Sequence, residues 1–187
     1  MKKPKKEEKP LSGAQDAYEW LQILIVALVT IILVFTFVGR ITPVVGESML
    51  PTLHEGDVML IRDIGYTDPQ PGDIVVLTKD FDAARGPIVK RIIAVEGQTV
   101  DIDYQTGTVY VDGEALDEPY LNEPMEEPWY EDLTSVTVPE GSVFVMGDNR
   151  NHSNDSRDVT LGTVDTRYLL GKAEFICFPF SDFGRIG

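Results

Sequence analysis

The stretch that decides the fold class is residues 88–113, which read IVKRIIAVEGQTVDIDYQTGTVYVDG. Three short runs rich in Val, Ile and Thr alternate here with turns that each contain Gly. β-branched residues favour strands, and Gly and Asp favour the tight turns between them. The two runs that flank Gly107, at 99–103 and 108–111, predict a hairpin.

The same alternation of apolar runs and Gly or Pro turns continues on both sides of this stretch. Further strands are predicted at 58–62, 73–77, 88–95, 135–138, 143–146 and 171–178. Helical periodicity is scarce, apart from one turn predicted at 51–54. We therefore predict a mostly β domain of twisted antiparallel sheets, barrel-like in form, at residues 40–187.

An apolar segment precedes this domain: residues 20–38 read WLQILIVALVTIILVFTFV, without a charged residue. As a helix, these nineteen residues span about 28 Å, close to the hydrocarbon thickness of about 30 Å. A buried core helix would show a polar stripe, and a cleavable signal peptide would have a shorter apolar core before a small-residue cleavage site. We predict a single transmembrane anchor at residues 20–39.

The charges that flank the anchor predict its orientation. The net charge is −15, and residues 1–19 contribute +1 through five Lys and four acidic residues, which leaves −16 for the rest. Lys residues beside an anchor stay in the cytoplasm, and acidic residues contribute little to orientation. The prediction is a single-pass protein of the cell membrane, with a disordered cytoplasmic tail at 1–19 and residues 40–187 outside the cytoplasm.

Composition excludes several classes of site. A pI near 4.4 argues against nucleic acid as a partner, because phosphate binding requires clusters of Lys and Arg. One Cys and two His are too few for a multi-cysteine or His-rich metal centre. Cys177 lies in an apolar run and is predicted to be a buried small hydrophobic residue.

An acidic insert is predicted at about 101–140. Between Arg91 and Arg150 there are fourteen acidic residues and no Lys or Arg. We interpret this region as a solvated, partly mobile insert that keeps the domain soluble. A cation-binding or basic-partner surface is the alternative, and no ligand spacing supports it.

The first candidate for chemistry is Ser48, in the segment GESMLPTL at residues 46–53; Ser48 lies ten residues beyond Val38, the last residue of the apolar segment. Gly46 would let a substrate backbone approach closely, because it has no side chain. Pro51 at a helix start would set a rigid turn that could hold Ser48 at an element boundary.

The second candidate is Lys90, which alternation along its strand places on the same face as Ile88 and Ile92. A lysine on an apolar face is costly unless it is neutral or paired, and desolvation lowers its pKa from about 10.4 by up to 3–5 units. A neutral amine can take the proton of a Ser hydroxyl, which gives a Ser-Lys pair. The pattern alone favours the alternative, a Lys90 that extends from a surface strand into solvent.

The third feature is the segment GDNRNHSNDSR at residues 147–157. Asn, Asp and Ser form hydrogen-bonded turns readily, so a purely structural turn cluster is one interpretation. An ion pair between Asp155 and Arg157 could equally brace a site and orient a lysine amine.

Together these segments resemble the type I (leader) signal peptidases of bacteria, which are membrane-bound Ser-Lys endopeptidases, and the single anchor and small insert resemble the Gram-positive branch. Four motifs carry the resemblance in the family's order, at residues 48–53, 72–76, 90–97 and 147–157. It implies Ser48 as nucleophile and Lys90 as general base. It implies supporting roles for Ser153, which orients the amine, for the bracing pair Asp155 and Arg157, and for the loop residues Gly147, Asp148, Asn149 and Arg150. Some members place a hydroxyl at position 46 as a second oxyanion donor, and Gly46 leaves that donor open.

The resemblance also implies the substrate and the surroundings. The substrate is the signal peptide of a secreted preprotein, cut after small residues at −3 and −1, at the cytoplasmic membrane lipid and near the secretion translocon. No cofactor is implied, because the amine supplies the base. An extended substrate would add a strand beside 43–46 and 87–89. The predicted pocket residues are Val44, Met49, Leu53, Ile88 and Val89.

Two alternatives remain at this point. One is another Ser-Lys peptidase, either a self-cleaving repressor-type protein, which should carry a DNA-binding region, or a conjugation-pilin processing peptidase. The signal peptidases of the endoplasmic reticulum and of archaea should have His where Lys90 stands. The other alternative is a membrane-tethered β domain that binds a partner without catalysis, which leaves the coincidence of Ser48, Lys90 and Ser153 unexplained.

Overall fold

A computed structural model describes residues 13–37, 39–81, 86–126 and 133–186. The chain divides into two units, Met1–Val38 and Gly39–Gly187. The first twelve residues of the predicted tail and residues 127–132 of the predicted acidic insert lie outside the described residues.

The first unit contains helix α1, Gly13–Phe37. The helix begins seven residues before the predicted anchor, so residues 13–19, which we predicted as disordered tail, are helical. Ala and Gln in this stretch favour a helix, Asp16 in the first turn suits the positive end of the helix dipole, and extending an existing helix costs little. Of the described helices, α1 is the one long and apolar enough to cross a membrane by length and composition.

Over its described residues, the second unit consists of short strands joined by turns and by two 3₁₀ helices, Arg150–His152 and Thr166–Tyr168. Its strands over the described residues are β1 (Arg40–Pro43), β2 (Val58–Arg62), β3 (Ile74–Leu77), β4 (Ile88–Val95), β5 (Thr99–Asp103), β6 (Thr108–Val111), β7 (Glu114–Ala115), β8 (Ser135–Thr137), β9 (Ser142–Met146), β10 (Val164–Asp165), β11 (Leu169–Phe178) and β12 (Gly184–Arg185).

The strands form two antiparallel sheets. The larger has the order β1-β2-β11-β3-β4-β9-β10, with β12 paired to β11, and the smaller has the order β7-β6-β5-β8. This confirms the predicted mostly β fold, and the register Ile102↔Val109 confirms the β5–β6 hairpin. Strands β1, β7, β10 and β12 were not predicted. β7, β10 and β12 have two residues each, too few to show alternation, and β1 contains one apolar β-branched residue and ends in Pro.

The acidic insert differs from its predicted state. Over its described residues it contributes strands to the smaller sheet, where Val100 and Ile102 are buried while Asp101 and Asp103 lie on the other face. The buried side chains pack with Val109 and Phe144 in a hydrophobic cluster. The insert is therefore a folded layer, and period-two alternation places its acidic residues on the opposite face from that cluster.

Strand β4 positions the site because its pairing partner changes along its length. On one side, residues 88–91 pair with β3. On the other side, pairing with β9 starts at Arg91 and continues to Val95. Among the described strands, none pairs with that second edge over residues 88–90, so this end of β4 borders an open cleft.

Candidate active site

Ser48 and Lys90 meet although 42 residues separate them in the chain: the Nζ of Lys90 donates a hydrogen bond to the Oγ of Ser48 at 2.6 Å. Ser48 lies in a turn between β1 and β2, where the Leu53 N–H donates to the Met49 carbonyl at 3.0 Å. The turn predicted at 51–54 therefore begins earlier, around Ser48 itself. The structure thus brings together the two side chains that the sequence selected as nucleophile and base.

Lys90 is only 3 % exposed, so the alternative in which its side chain extends into solvent, which the sequence pattern alone favoured, is wrong. Its part of β4 lies beneath the Ser48 turn and the 147–157 loop, which strand periodicity alone does not show. Burial lowers the pKa of the Lys90 amine to about 8, with the charges of Asp155 and Asp148 opposing that fall and the charge of Arg157 adding to it. A substantial fraction of the amine is therefore neutral near pH 8.

Gly147 lets the 147–157 loop pack against the Ser48 backbone. A Cβ at this position would lie 2.2 Å from the Ser153 Oγ and 2.4 Å from the Ser48 carbonyl oxygen, so no side chain fits. Asn149, two residues further along the loop, donates its backbone N–H to the Ser48 carbonyl at 3.0 Å. Its side-chain amide donates to the Glu47 carbonyl at 3.1 Å. The loop thereby fixes the backbone on both sides of the Ser48 N–H.

Asp155 is the buried acceptor at the centre of this loop. It accepts from the Gly147 N–H at 2.9 Å, the Ser153 hydroxyl at 2.7 Å and the Arg157 Nε at 2.8 Å. Burial raises the pKa of Asp155, but the charge of Arg157 and these hydrogen bonds outweigh it and hold the pKa below its ordinary value. The Asp155–Arg157 pair thus forms as the sequence predicted. A hydrogen bond from Ser153 to Lys90, the predicted orienting contact, is not among those of the described residues.

A second buried ion pair lies behind Lys90. The neighbouring Arg91 donates to both oxygens of Asp148, at 2.8 and 2.7 Å, and both side chains are buried. The hydroxyl of Thr52 donates to Asp148 as well, and Arg91 donates to the Gly72 carbonyl at 3.0 Å. This bidentate pair ties β4 to the 147–157 loop, and the Thr52 hydrogen bond joins the segment that follows Ser48 to the same carboxylate.

Two residues of the acidic insert reach the site and were missed from sequence. Glu118 forms an ion pair with Arg150, and the Tyr120 ring lies 4.0 Å from the guanidinium carbon of Arg91. The available signal was that buried arginines need carboxylate partners, because an unpaired buried charge is costly. Nothing in the sequence distinguishes Glu118 from the other acids of the insert.

A cleft of about 300 Å³ lies beside Ser48 and Lys90. Four of the five predicted pocket residues line it, and the lining as a whole comprises Thr42, Pro43, Val44, Val45, Ser48, Met49, Val76, Pro87, Ile88, Val89 and Lys90. The fifth, Leu53, is fully buried and packs in the core cluster with Met59 and Ile61, so it does not line the cleft. The cleft is mostly apolar and opens directly onto the Ser48 hydroxyl.

Gly46 adopts φ +86°, a conformation that residues with side chains rarely take. A Cβ there would meet nothing within 4 Å, so the backbone conformation, rather than crowding, accounts for Gly at this position. Among the hydrogen bonds of the described residues, none uses the Ser48 N–H, which leaves this donor available to an oxyanion.

The other candidate nucleophiles and bases lie elsewhere. Both histidines, His54 and His152, have exposed side chains. Cys177 is half-buried rather than fully buried, because it alternates with Ile176 on β11 and faces away from the core. Across the part of the chain that the structure describes, no group of three or more His, Cys, Asp or Glu side chains is placed to hold a metal ion.

Comparisons with known proteins give a consistent result. Residues 17–178 match the family model described as "Signal peptidase, peptidase S26". A probable signal peptidase I-1 of Synechocystis is 40% identical over 178 residues, covering 90% of this chain and 86% of that protein. A signal peptidase I of Bacillus licheniformis is 36% identical over 184 residues, covering 94% and 96%. The crystal structure of a signal peptidase I from Enterococcus faecalis matches with a TM-score of 0.46 at 33% identity, covering 57% of this chain and 97% of that one.

Proposed function

Since the chain belongs to the peptidase S26 family of signal peptidases, we propose that it cleaves signal peptides with Ser48 as nucleophile and Lys90 as general base. The observation that carries this proposal is the 2.6 Å contact between the Lys90 amine and the Ser48 hydroxyl, made by a lysine that is almost fully buried. Burial favours the neutral amine, and only the neutral amine can accept the hydroxyl proton.

The reaction runs in two stages. The Lys90 amine takes the Ser48 proton as the Ser48 oxygen attacks the scissile carbonyl carbon, and the Ser48 N–H donates to the oxyanion that forms. The intermediate collapses to an acyl-enzyme as the Lys90 ammonium gives its proton to the departing amine of the mature protein. Lys90 then deprotonates a water, which attacks the acyl carbon. As the ester bond breaks, the Lys90 ammonium returns that proton to the Ser48 oxygen, and the signal peptide leaves as a carboxylic acid that ionises in solvent.

The cleft supports an extended substrate. The open edge of β4 at residues 88–90 offers unpaired backbone groups, and Val44, Val89 and Met49 supply apolar walls beside Ser48. A peptide that adds as a strand points alternate side chains to the same face. Small residues at −1 and −3 would then enter the same shallow cleft, which agrees with the cleavage specificity implied by the resemblance.

The sheet also carries an apolar outer face that suits membrane lipid. Ile41, Leu60 and Phe175 are in register across β1, β2 and β11, and Ile41 and Phe175 are exposed. Phe178 and Phe180 stack edge to face at 5.9 Å and are also exposed. Strand β1 begins three residues after α1 ends. We assign this face to the outer surface of the cytoplasmic membrane, near the translocon, with α1 as the anchor and its N-terminus in the cytoplasm.

Cleavage of a model preprotein by the purified full chain in detergent tests the catalytic roles. Ser48→Ala and Lys90→Ala should each lower kcat by about 10³-fold or more. Ser181→Ala and Lys172→Ala, which remove the same groups from other parts of the domain, serve as matched controls and should keep activity. A folded Ser48→Ala or Lys90→Ala variant that cuts at the wild-type rate would refute the assignment.

Protease treatment of intact cells tests the topology. Digestion of residues 40–187 from outside is expected, whereas protection of that unit in sealed cells would contradict an extracytoplasmic domain.

A further inference from the structure

Residues 118–120 of the acidic insert contact two of the buried arginines near the dyad, Arg150 and Arg91. The Glu118 carboxylate holds Arg150 through both of its oxygens, with Nη1 to Oε2 at 3.0 Å. The Arg150 side chain is 0% exposed and that of Glu118 is 7% exposed. Arg150 in turn donates from Nε to the Gly147 carbonyl at 3.1 Å. Glu118 is thus connected, through one side chain, to the residue that packs on the Ser48 backbone.

Tyr120 makes the second contact. Its ring covers the guanidinium of Arg91 at 4.0 Å, and its hydroxyl donates to Glu118 at 2.8 Å. Arg91 is adjacent to Lys90 on β4 and holds Asp148 in the bidentate pair described above. A cation over an aromatic face is stabilised further when, as here, the pair is desolvated.

On the basis of the proposed function, we infer that Glu118 and Tyr120 are positioning residues, which hold the 147–157 loop and Arg91 in place around the Ser48–Lys90 dyad and keep water from the Lys90 amine. Neither residue contacts Ser48 or Lys90 through a hydrogen bond of the described residues. Both therefore act through their arginine partners. The insert is then a structural part of the active site.

The direction of the pH response separates this role from a simple effect of charge. The groups that face Lys90 are Ser48, Asp148, Asp155 and Arg157, while Glu118 faces Arg150, Tyr120 and Arg91. Removing the Glu118 charge without any movement would leave Arg150 less neutralised and lower the pKa of Lys90 further. A loosened loop would admit water and raise that pKa, because burial is the main reason for its low value.

The test measures kcat and KM against pH for Glu118→Gln, Tyr120→Leu and Tyr120→Phe in the full chain in detergent, with a model preprotein. The matched control is Asp117→Asn, which removes one exposed charge next to Glu118. Glu118→Gln and Tyr120→Leu should lower kcat about 10- to 100-fold, as small displacements of catalytic groups do, with little change in KM. The acidic limb of the rate should move to higher pH. Tyr120→Phe, which keeps the ring over Arg91, should recover most of the activity.

Amide hydrogen exchange of residues 147–157 provides a second measurement, with faster exchange expected in Glu118→Gln and Tyr120→Leu than in Asp117→Asn. Wild-type kcat in both variants, or an acidic limb that moves to lower pH, would overturn the inference. If Glu118→Gln does not fold, the inference is tested by comparing Tyr120→Leu with Tyr120→Phe, because neither substitution alters a formal charge. Failure here leaves the roles of Ser48 and Lys90 intact, since those depend on the separate Ser48→Ala and Lys90→Ala measurements.

Discussion

Replacing Lys90 with Met should stabilise the folded domain at neutral pH while it abolishes cleavage. Met has a similar unbranched shape and carries no charge to desolvate. The fall in the pKa of Lys90 from 10.5 to about 8 corresponds, at about 1.4 kcal/mol per pH unit, to about 3 kcal/mol of lost stability when the amine is protonated. Losing the hydrogen bond to Ser48 costs about 1 kcal/mol, so the net gain at pH 7 is about 2 kcal/mol.

This gain should disappear as the pH rises. The pKa of Lys90 is lower in the folded protein than in the unfolded chain, so between about pH 8 and pH 10.5 the unfolded chain binds more protons. The stability of the wild-type protein due to this group therefore rises with pH across that window. At about pH 11 both states hold a neutral amine, and the Met variant should be about 1 kcal/mol less stable than wild type, through the lost hydrogen bond.

Urea unfolding of the full chain in one detergent, followed by circular dichroism at pH 7, 9 and 11, measures the difference. Lys172→Met is the matched control: Lys172 forms an ion pair with Asp73, so this variant should lose stability or stay unchanged at pH 7. A Lys90→Met variant that is less stable at pH 7, or whose difference from wild type is independent of pH, would refute the view that Lys90 is held in a desolvated site.

Three further outcomes are expected. The kcat/KM of the wild-type protein should fall about tenfold per pH unit below an acidic limb near pH 8, since the protonated Lys90 cannot act as a base; an optimum near pH 5 would contradict this. Gly147→Ala should cost about 1–3 kcal/mol of stability by overpacking and lower kcat, whereas Gly184→Ala, with its nearest contact at 3.8 Å, should change urea stability by less than about 0.5 kcal/mol. Replacing the exposed His54 and His152 with Gln should leave turnover intact, and a collapse of kcat would instead implicate an imidazole.

The strands that could be predicted are those that form a run of apolar, mostly β-branched residues bounded by turns. β4, β5 and β6 have the predicted bounds, because each is a run rich in Val, Ile or Thr that is followed by a turn containing Gly. Alternation also selected Lys90 as the unusual residue of its strand. It could not show whether that face of β4 meets solvent or another segment, which depends on contacts 42 residues away in sequence.

The missed part of the site lies in the acidic insert. Glu118 is one of fourteen acids between two arginines, and its pairing with Arg150 across 32 residues follows from how the smaller sheet packs on the larger one. Composition correctly indicates an excess of acid there. It does not show that one of those acids has a buried partner, because net charge carries no information about distance.

The change of pairing strand along β4 bears on whether a secreted protein is cleaved before or after it folds. An edge that is open over only residues 88–90 admits a single extended chain, and a segment already coiled into a helix, or paired with other strands on both of its edges, has no free backbone groups to offer it. Release of a secreted protein should therefore come before its first residues fold. A preprotein whose mature N-terminus folds quickly would therefore be cleaved slowly, whatever residues form its cleavage site.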